Sequence, residues 1–310
     1  MVRIFNALLL AAFMAAIIVA SYWIGQQAYS WMPPQATAEA KQVDNLFSFL
    51  VAVGAFIFLG IVGMIAYSLL TCRAPKGDFS HGHPARGDAK LEILWTVTPT
   101  LLVIWIAAQS YNIYQQLDIL GLTPVVMHMP MAEPAYAATG GNDGKPTVSN
   151  DPKPVTQQIE VVAKQWAWSF RYPDRNVTST ELHLPVNQSV GLVLKSQDVL
   201  HGFYVPEFRI KQDIIPKRTI TFVFTPLREG KYRLRDSQFS GTYFALMEAD
   251  VYVESPHAYN QWLAMAAQRQ PSTASNPAFS EYTQQTEKPG PRRGWPTVVP
   301  AQPPSVNYPS

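Results

Sequence analysis

Residues 46–70 read LFSFLVAVGAFIFLGIVGMIAYSLL, without one Asp, Glu, Lys or Arg. A helix needs roughly 20 apolar residues to cross a hydrocarbon core of about 30 Å, and this stretch supplies them. Following the flanks widens the reading. No charge falls between Arg3 and Glu39, between Asp44 and Arg73, or between Glu92 and Asp118. The 310 residues are 15% charged, well below the roughly 25% of a soluble domain. A plain soluble enzyme is excluded. The formal charge of +2 leaves no basic stripe for nucleic acid. The single cysteine, Cys72, excludes an internal disulfide framework, a four-thiolate zinc site and a cysteine-bridged metal cluster supplied by this chain alone.

Residues 1–25 are either a signal peptide or an extra transmembrane helix. The apolar run is longer than a signal core, and Ser21, Tyr22 and Trp23 stand where an interfacial belt belongs, which favours the helix. The second and third blocks form a transmembrane helical hairpin over residues 44–115. Its connecting loop carries Arg73, Lys76, Arg86 and Lys90, which places the loop in the cytoplasm and everything after the hairpin outside. His81 and His83 lie in that loop and suit a solvated turn better than a metal site.

Residues 116–155, rich in Gly, Pro, Asn and Asp, read as a linker. Residues 156–255 change character. Val190, Leu192 and Leu194 alternate with their neighbours, as do Ile220, Phe222 and Phe224, Tyr232 and Leu234, and Val251 and Val253. Period-two runs punctuated by Pro and Gly predict a β-sandwich or barrel. Residues 256–310 begin with a short helical stretch and hold ten of the 26 prolines. They read as an extended or disordered tail.

Three motifs follow one another, the first opening the second helix of the hairpin and the others in the β-rich region. They are Leu91-Glu92-Ile93-Leu94-Trp95-Thr96, the stretch from Gln165 to Pro173 (QWAWSFRYP), and the stretch from Asp198 to Asp213 (DVLHGFYVPEFRIKQD). Together, over roughly residues 40–255, they resemble subunit II of the haem-copper respiratory oxidases. The resemblance implies a membrane anchor followed by an all-β cupredoxin-like sandwich on the outer face, against a subunit I that holds the haems and a copper. It implies further partners in subunit III and membrane lipid. The location it implies is a bacterial plasma membrane or a thylakoid membrane, with the cupredoxin domain periplasmic or lumenal.

Electron-accepting members of that family bind a dinuclear copper centre, CuA, through an early histidine and a Cys-x-Glu-x-Cys-x-x-x-His-x-x-Met string. The early histidine matches His201, and the string aligns without a gap to residues 236–247. Asp236 and Ser240 stand at the two cysteines, Gln238 at the glutamate, Phe244 at the second histidine and Met247 at the methionine. Two copper ions sharing an electron need bridging thiolates. A mononuclear site from His201, Asp236 and Met247 would be a poor copper cage. No cofactor is therefore expected on this chain. Loss of CuA marks the quinol-oxidising branch, in which quinol reaches subunit I within the bilayer, and the chain is most similar to the alternative respiratory terminal oxidases of cyanobacteria.

The resemblance assigns further roles. Glu92 would lie near the mouth of a proton channel, or be a helix-start carboxylate favoured by the dipole. Trp166 and Trp168 match an aromatic patch near the electron input, one expected against subunit I and one at a rim. Glu207, Arg209, Lys211 and Asp213 alternate in sign at period two and would share one face toward subunit I. The alternatives are a cytochrome c oxidase subunit II with electrons passing through this domain, and a stand-alone membrane-tethered cupredoxin that binds metal.

Overall fold

Each uncharged block forms one long helix in the computed structural model, which describes residues 2–73, 77, 87–116, 119–120, 155–287 and 297–309. These are α1 (Val2–Gln27), α2 (Ala38–Thr71) and α3 (Ala89–Gln116). All three carry apolar stretches long enough to cross a membrane. With no water in a bilayer core the backbone must bond to itself, which a helix achieves. Its hydroxyls follow suit, since Thr96 and Thr100 donate to the carbonyls of Glu92 and Thr96 at 2.8 and 2.7 Å. His81 and His83 lie outside the described residues.

Residues 1–33 and 41–116 form one compact unit, and residues 34–40 and 117–310 another. In the first, α1 is seated on α2. Ser48 Oγ donates to the Gly25 carbonyl at 2.8 Å, and a Cβ on Gly25 would meet Ala52 Cβ at 2.7 Å. Small residues allow such backbone approach. Much of the remaining helix surface is apolar and exposed on this chain, including Phe58, Ile61, Met64 and Leu70 on α2 and Ile93, Leu94, Val103 and Ile104 on α3.

The second unit is a sandwich of two sheets. Six strands run in the order β1-β9-β6-β2-β3-β4. Their ranges are β1 (Ile119–Leu120), β2 (Gln157–Lys164), β3 (Ala167–Tyr172), β4 (Val177–Ser179), β6 (Val190–Ser196) and β9 (Thr219–Phe224). Five run in the order β5-β11-β10-β7-β8. These are β5 (Leu182–Pro185), β7 (His201–Val205), β8 (Ile210–Ile214), β10 (Gly230–Asp236) and β11 (Glu248–Glu254). The alternation read from sequence is the burial pattern: Ile220, Phe222 and Phe224 point inward from β9, and Val251 and Val253 from β11. On β10 the same period turns Leu234 and Asp236 inward and leaves Lys231, Arg233 and Arg235 exposed, facing Asp250 and Glu248 of β11.

Two expectations need correction. Glu207, Arg209, Lys211 and Asp213 do not form one strand face. Pro206 opens a 3-10 turn, Pro206–Phe208, and Arg209 takes the left-handed conformation at φ 55°, so β8 starts only at Ile210. Only Lys211 and Asp213 share a face.

The Pro-rich tail is not loose where it is described. Helix α4 (Pro256–Gln268) is capped by Ser255, whose hydroxyl accepts the Ala258 N–H at 3.2 Å. It buries Tyr259, Trp262, Leu263 and Ala266. Beyond it, β12 (Ser272–Thr273) pairs with β13 (Ser305–Val306), flanking α5 (Pro277–Glu287). Asn276 caps α5 and donates to the Ala301 carbonyl at 2.8 Å, while the Tyr308 carbonyl receives Ser179 Oγ at 3.1 Å. Proline removes donors but not acceptors, so such a chain can still be fastened through its carbonyls. Of the expected linker, residues 117–118 and 121–154 lie outside the described residues.

Candidate functional site

His201 opens β7 and Asp236 ends β10, neighbouring antiparallel strands in which Asp236 pairs with Phe203. Alternation turns both side chains inward, where neither is exposed. Their contact is short: His201 Nδ1 lies 2.7 Å from Asp236 Oδ2. The other ring nitrogen, Nε2, lies 2.9 Å from Asp198 Oδ1.

The Asp236 carboxylate is saturated. Oδ1 accepts the backbone N–H groups of Gly202 (2.7 Å) and Gln238 (3.0 Å). Oδ2 accepts Ser240 Oγ at 2.8 Å beside the imidazole. Asp198 is held likewise, with Gln165 N on Oδ2 and Val199 N on Oδ1, both at 2.7 Å. A charged buried group is tolerated when its lone pairs are met in this way.

The electrostatics follow from the geometry. Burial pushes His201 toward its neutral form, yet the hydrogen bonds and charges of Asp198 and Asp236 outweigh it and raise its pKa. Burial likewise opposes the charge on Asp198, but the imidazole and the two backbone donors hold its pKa below the usual value. The result is an imidazole clamped between two carboxyl groups, with its charged form favoured.

The loop from Asp236 to Met247 is shaped by glycine at two close approaches. A Cβ on Gly202 would run into Ser237 Oγ, and one on Gly241, at φ 115°, would meet Trp166 Cζ2 at 2.8 Å. Gln238 Nε2 donates to Asp213 Oδ1 at 2.8 Å, tying the loop to β8. Met247 is buried and its carbonyl receives Asp236 N and Trp168 Nε1, each at 3.1 Å. Phe244 lies in a 3-10 turn, Phe244–Leu246, and packs against the exposed Phe239 ring at 5.1 Å.

The structure therefore gathers His201, Asp236, Ser240 and the Gln238 backbone into one cluster, with Phe244 paired to Phe239. Asp198 joins the cluster through Nε2 of the ring, a role that its place in the sequence does not announce. Trp166 and Trp168 are not rim residues. Both are buried, and the Trp166 indole donates to the Ser240 carbonyl at 3.1 Å beneath the Tyr243 ring. Glu92 sits exposed in the first turn of α3, behind the capping Asp88.

Among the described residues no group of three or more His, Cys, Asp or Glu side chains is arranged to hold a metal ion. The donor set gives the reason. Both imidazole nitrogens face carboxylates, Asp236 is fully engaged by hydrogen bonds, and no thiolate is near. A dinuclear copper centre does not fit these residues.

Residues 21–113 match the family described as "Cytochrome C oxidase subunit II, transmembrane domain", and residues 177–254 match "Cytochrome C oxidase subunit II, periplasmic domain". The chain is similar to "Cytochrome c oxidase subunit 2" of Synechocystis sp., 33% identical over 81% of this chain and 80% of that one. "Alternative cytochrome c oxidase subunit 2" of Bradyrhizobium diazoefficiens is 31% identical over 75% and 83%. "Quinol oxidase subunit 2" of Bacillus subtilis is 21% identical over 85% and 74%.

Proposed function

We propose that this chain, which belongs to the cytochrome c oxidase subunit II family, serves as the copper-free subunit II of a quinol-oxidising terminal oxidase. Its family places it in a multi-pass membrane protein with an extracytoplasmic domain. The observation that carries the proposal is the occupant of His201 Nδ1, a carboxylate bonded at 2.7 Å. Electrons from a soluble donor would meet no acceptor in such a domain, whereas quinol within the bilayer can give its electrons and protons to subunit I directly. The haems and copper that reduce oxygen to water would all belong to subunit I.

In this reading the chain anchors and orients. The exposed apolar faces of α2 and α3 would meet lipid and subunits I and III. Lys211, exposed on β8, would supply a polar contact to subunit I. Glu92, an acid at the membrane boundary, would collect protons for a path through subunit I. Trp166 and Trp168 would hold the sandwich together rather than pass electrons. The membrane would be the plasma membrane or the thylakoid membrane.

The relatives that share about a third of their residues carry the cytochrome c name, which favours cytochrome c oxidation as the second reading. Oxygen uptake by the purified complex, driven in turn by quinol and by reduced cytochrome c, separates the two. Quinol should be the faster donor. Trp166→Ala should leave quinol turnover nearly unchanged in complexes that assemble, and Glu92→Gln should slow it. Copper-dependent oxidation of cytochrome c as the faster activity would overturn the proposal.

A further inference from the structure

We infer that the Asp236 carboxylate fills the place on His201 Nδ1 that a metal ion would take, and so cross-links the loop 236–247 to β7 without a metal. The inference rests on the copper-free reading above and says what replaced the copper. Four observations converge on it. Asp236 and His201 are both fully buried and 2.7 Å apart. The remaining bonds of the carboxylate go to Gly202 on β7 and to Gln238 and Ser240 on the loop, so one side chain ties the two segments that a metal would bridge.

The third observation is the nitrogen involved. Nδ1 faces Asp236 at 2.7 Å, and residue 236 is where the resemblance implies a thiolate, so that nitrogen is the one a metal held by residue 236 could reach. The fourth is Asp198 on Nε2 at 2.9 Å. A carboxylate on the far nitrogen of a metal-bound histidine fixes its tautomer and orientation. Asp198 performs the same service for an imidazole held by Asp236, and is a positioning residue under either arrangement. Metal and carboxylate are thus alternative occupants of one prepared place.

The test uses the full chain purified in detergent and followed by near-ultraviolet circular dichroism of its buried tryptophans. The unaltered chain, loaded with copper and desalted, should retain none in stoichiometric amount, and neither copper nor a chelator should move its unfolding midpoint. Asp236→Asn should lower that midpoint by about 5 °C or more, through loss of charged hydrogen bonds in a buried site. Ser240→Ala removes one donor and spares the imidazole clamp. It should lower the midpoint less, which keeps a measurable step if Asp236→Asn fails to fold.

The triple variant Asp236→Cys, Ser240→Cys, Phe244→His should gain about two copper ions per chain and a mixed-valence copper resonance. Adding Asp198→Asn to it should weaken copper retention about tenfold or more. If Asp236→Asn and Ser240→Ala both keep the original midpoint while no copper binds, the cross-link is refuted and the copper-free reading stands. A stoichiometric copper pair on the unaltered chain refutes both. A folded triple variant without copper refutes the equivalence of the two occupants.

Discussion

A buried histidine between two acidic side chains makes stability depend on pH from both sides. His201 has a raised pKa, so its contribution is complete below the unfolded value near 6.5 and is lost as pH rises through the raised value. Asp198 has a lowered pKa; its contribution holds above the unfolded value and is lost as pH falls through the lowered one. Unfolding midpoints of the full chain across pH should therefore form a plateau with an acid and an alkaline flank. His201→Gln should flatten the alkaline flank, and an unchanged flank would refute the assignment. Much of this site was legible beforehand, because residues 236–247 align gaplessly and each replacement can be read by softness and size. Asp198 was not, because its role depends on a loop curling back through the Gln165 and Val199 amides, which no period in the sequence announces.

At the scale of elements, the tail departs furthest from its composition. Proline-rich sequence argues for disorder when apolar anchors are lacking, but here the anchors are few and large. Trp262 stacks on the His183 ring at 3.7 Å, Tyr252 covers the opposite side at 4.8 Å, and Tyr172 and Tyr308 meet Trp262 edge-on. The His183 nitrogens lie 3.0 Å from Glu254 and 3.4 Å from Glu181. The strands were readable from alternation because one face of each meets the core. The tail was not readable, since Trp262 packs on His183 of β5 and Tyr172 of β3 and on Tyr308 of the tail itself, rings far apart in sequence. Trp262→Ala should cost about 3 kcal/mol or more in denaturant unfolding, whereas a loose tail would make it neutral.

Over the whole molecule, the basic residues of the segment 71–90 predict that it lies inside and the sandwich outside. Cys72, the single cysteine and exposed at the end of α2, is a ready probe. An impermeant maleimide should leave it unlabelled in right-side-out vesicles and label it once they are permeabilised; labelling without permeabilisation would invert the topology. The anchor was plain from missing charge alone, while the pairing of β4 with the far end of the tail was hidden. That pairing, in which Ser179 Oγ reaches a carbonyl 129 residues later, sets an order of events during synthesis. Contacts so distant in sequence close slowly, and Tyr308 crosses the membrane long after β4 has done so. On that order the β4 edge stays unpaired until residue 308 reaches it, long after the rest of the sandwich has been made.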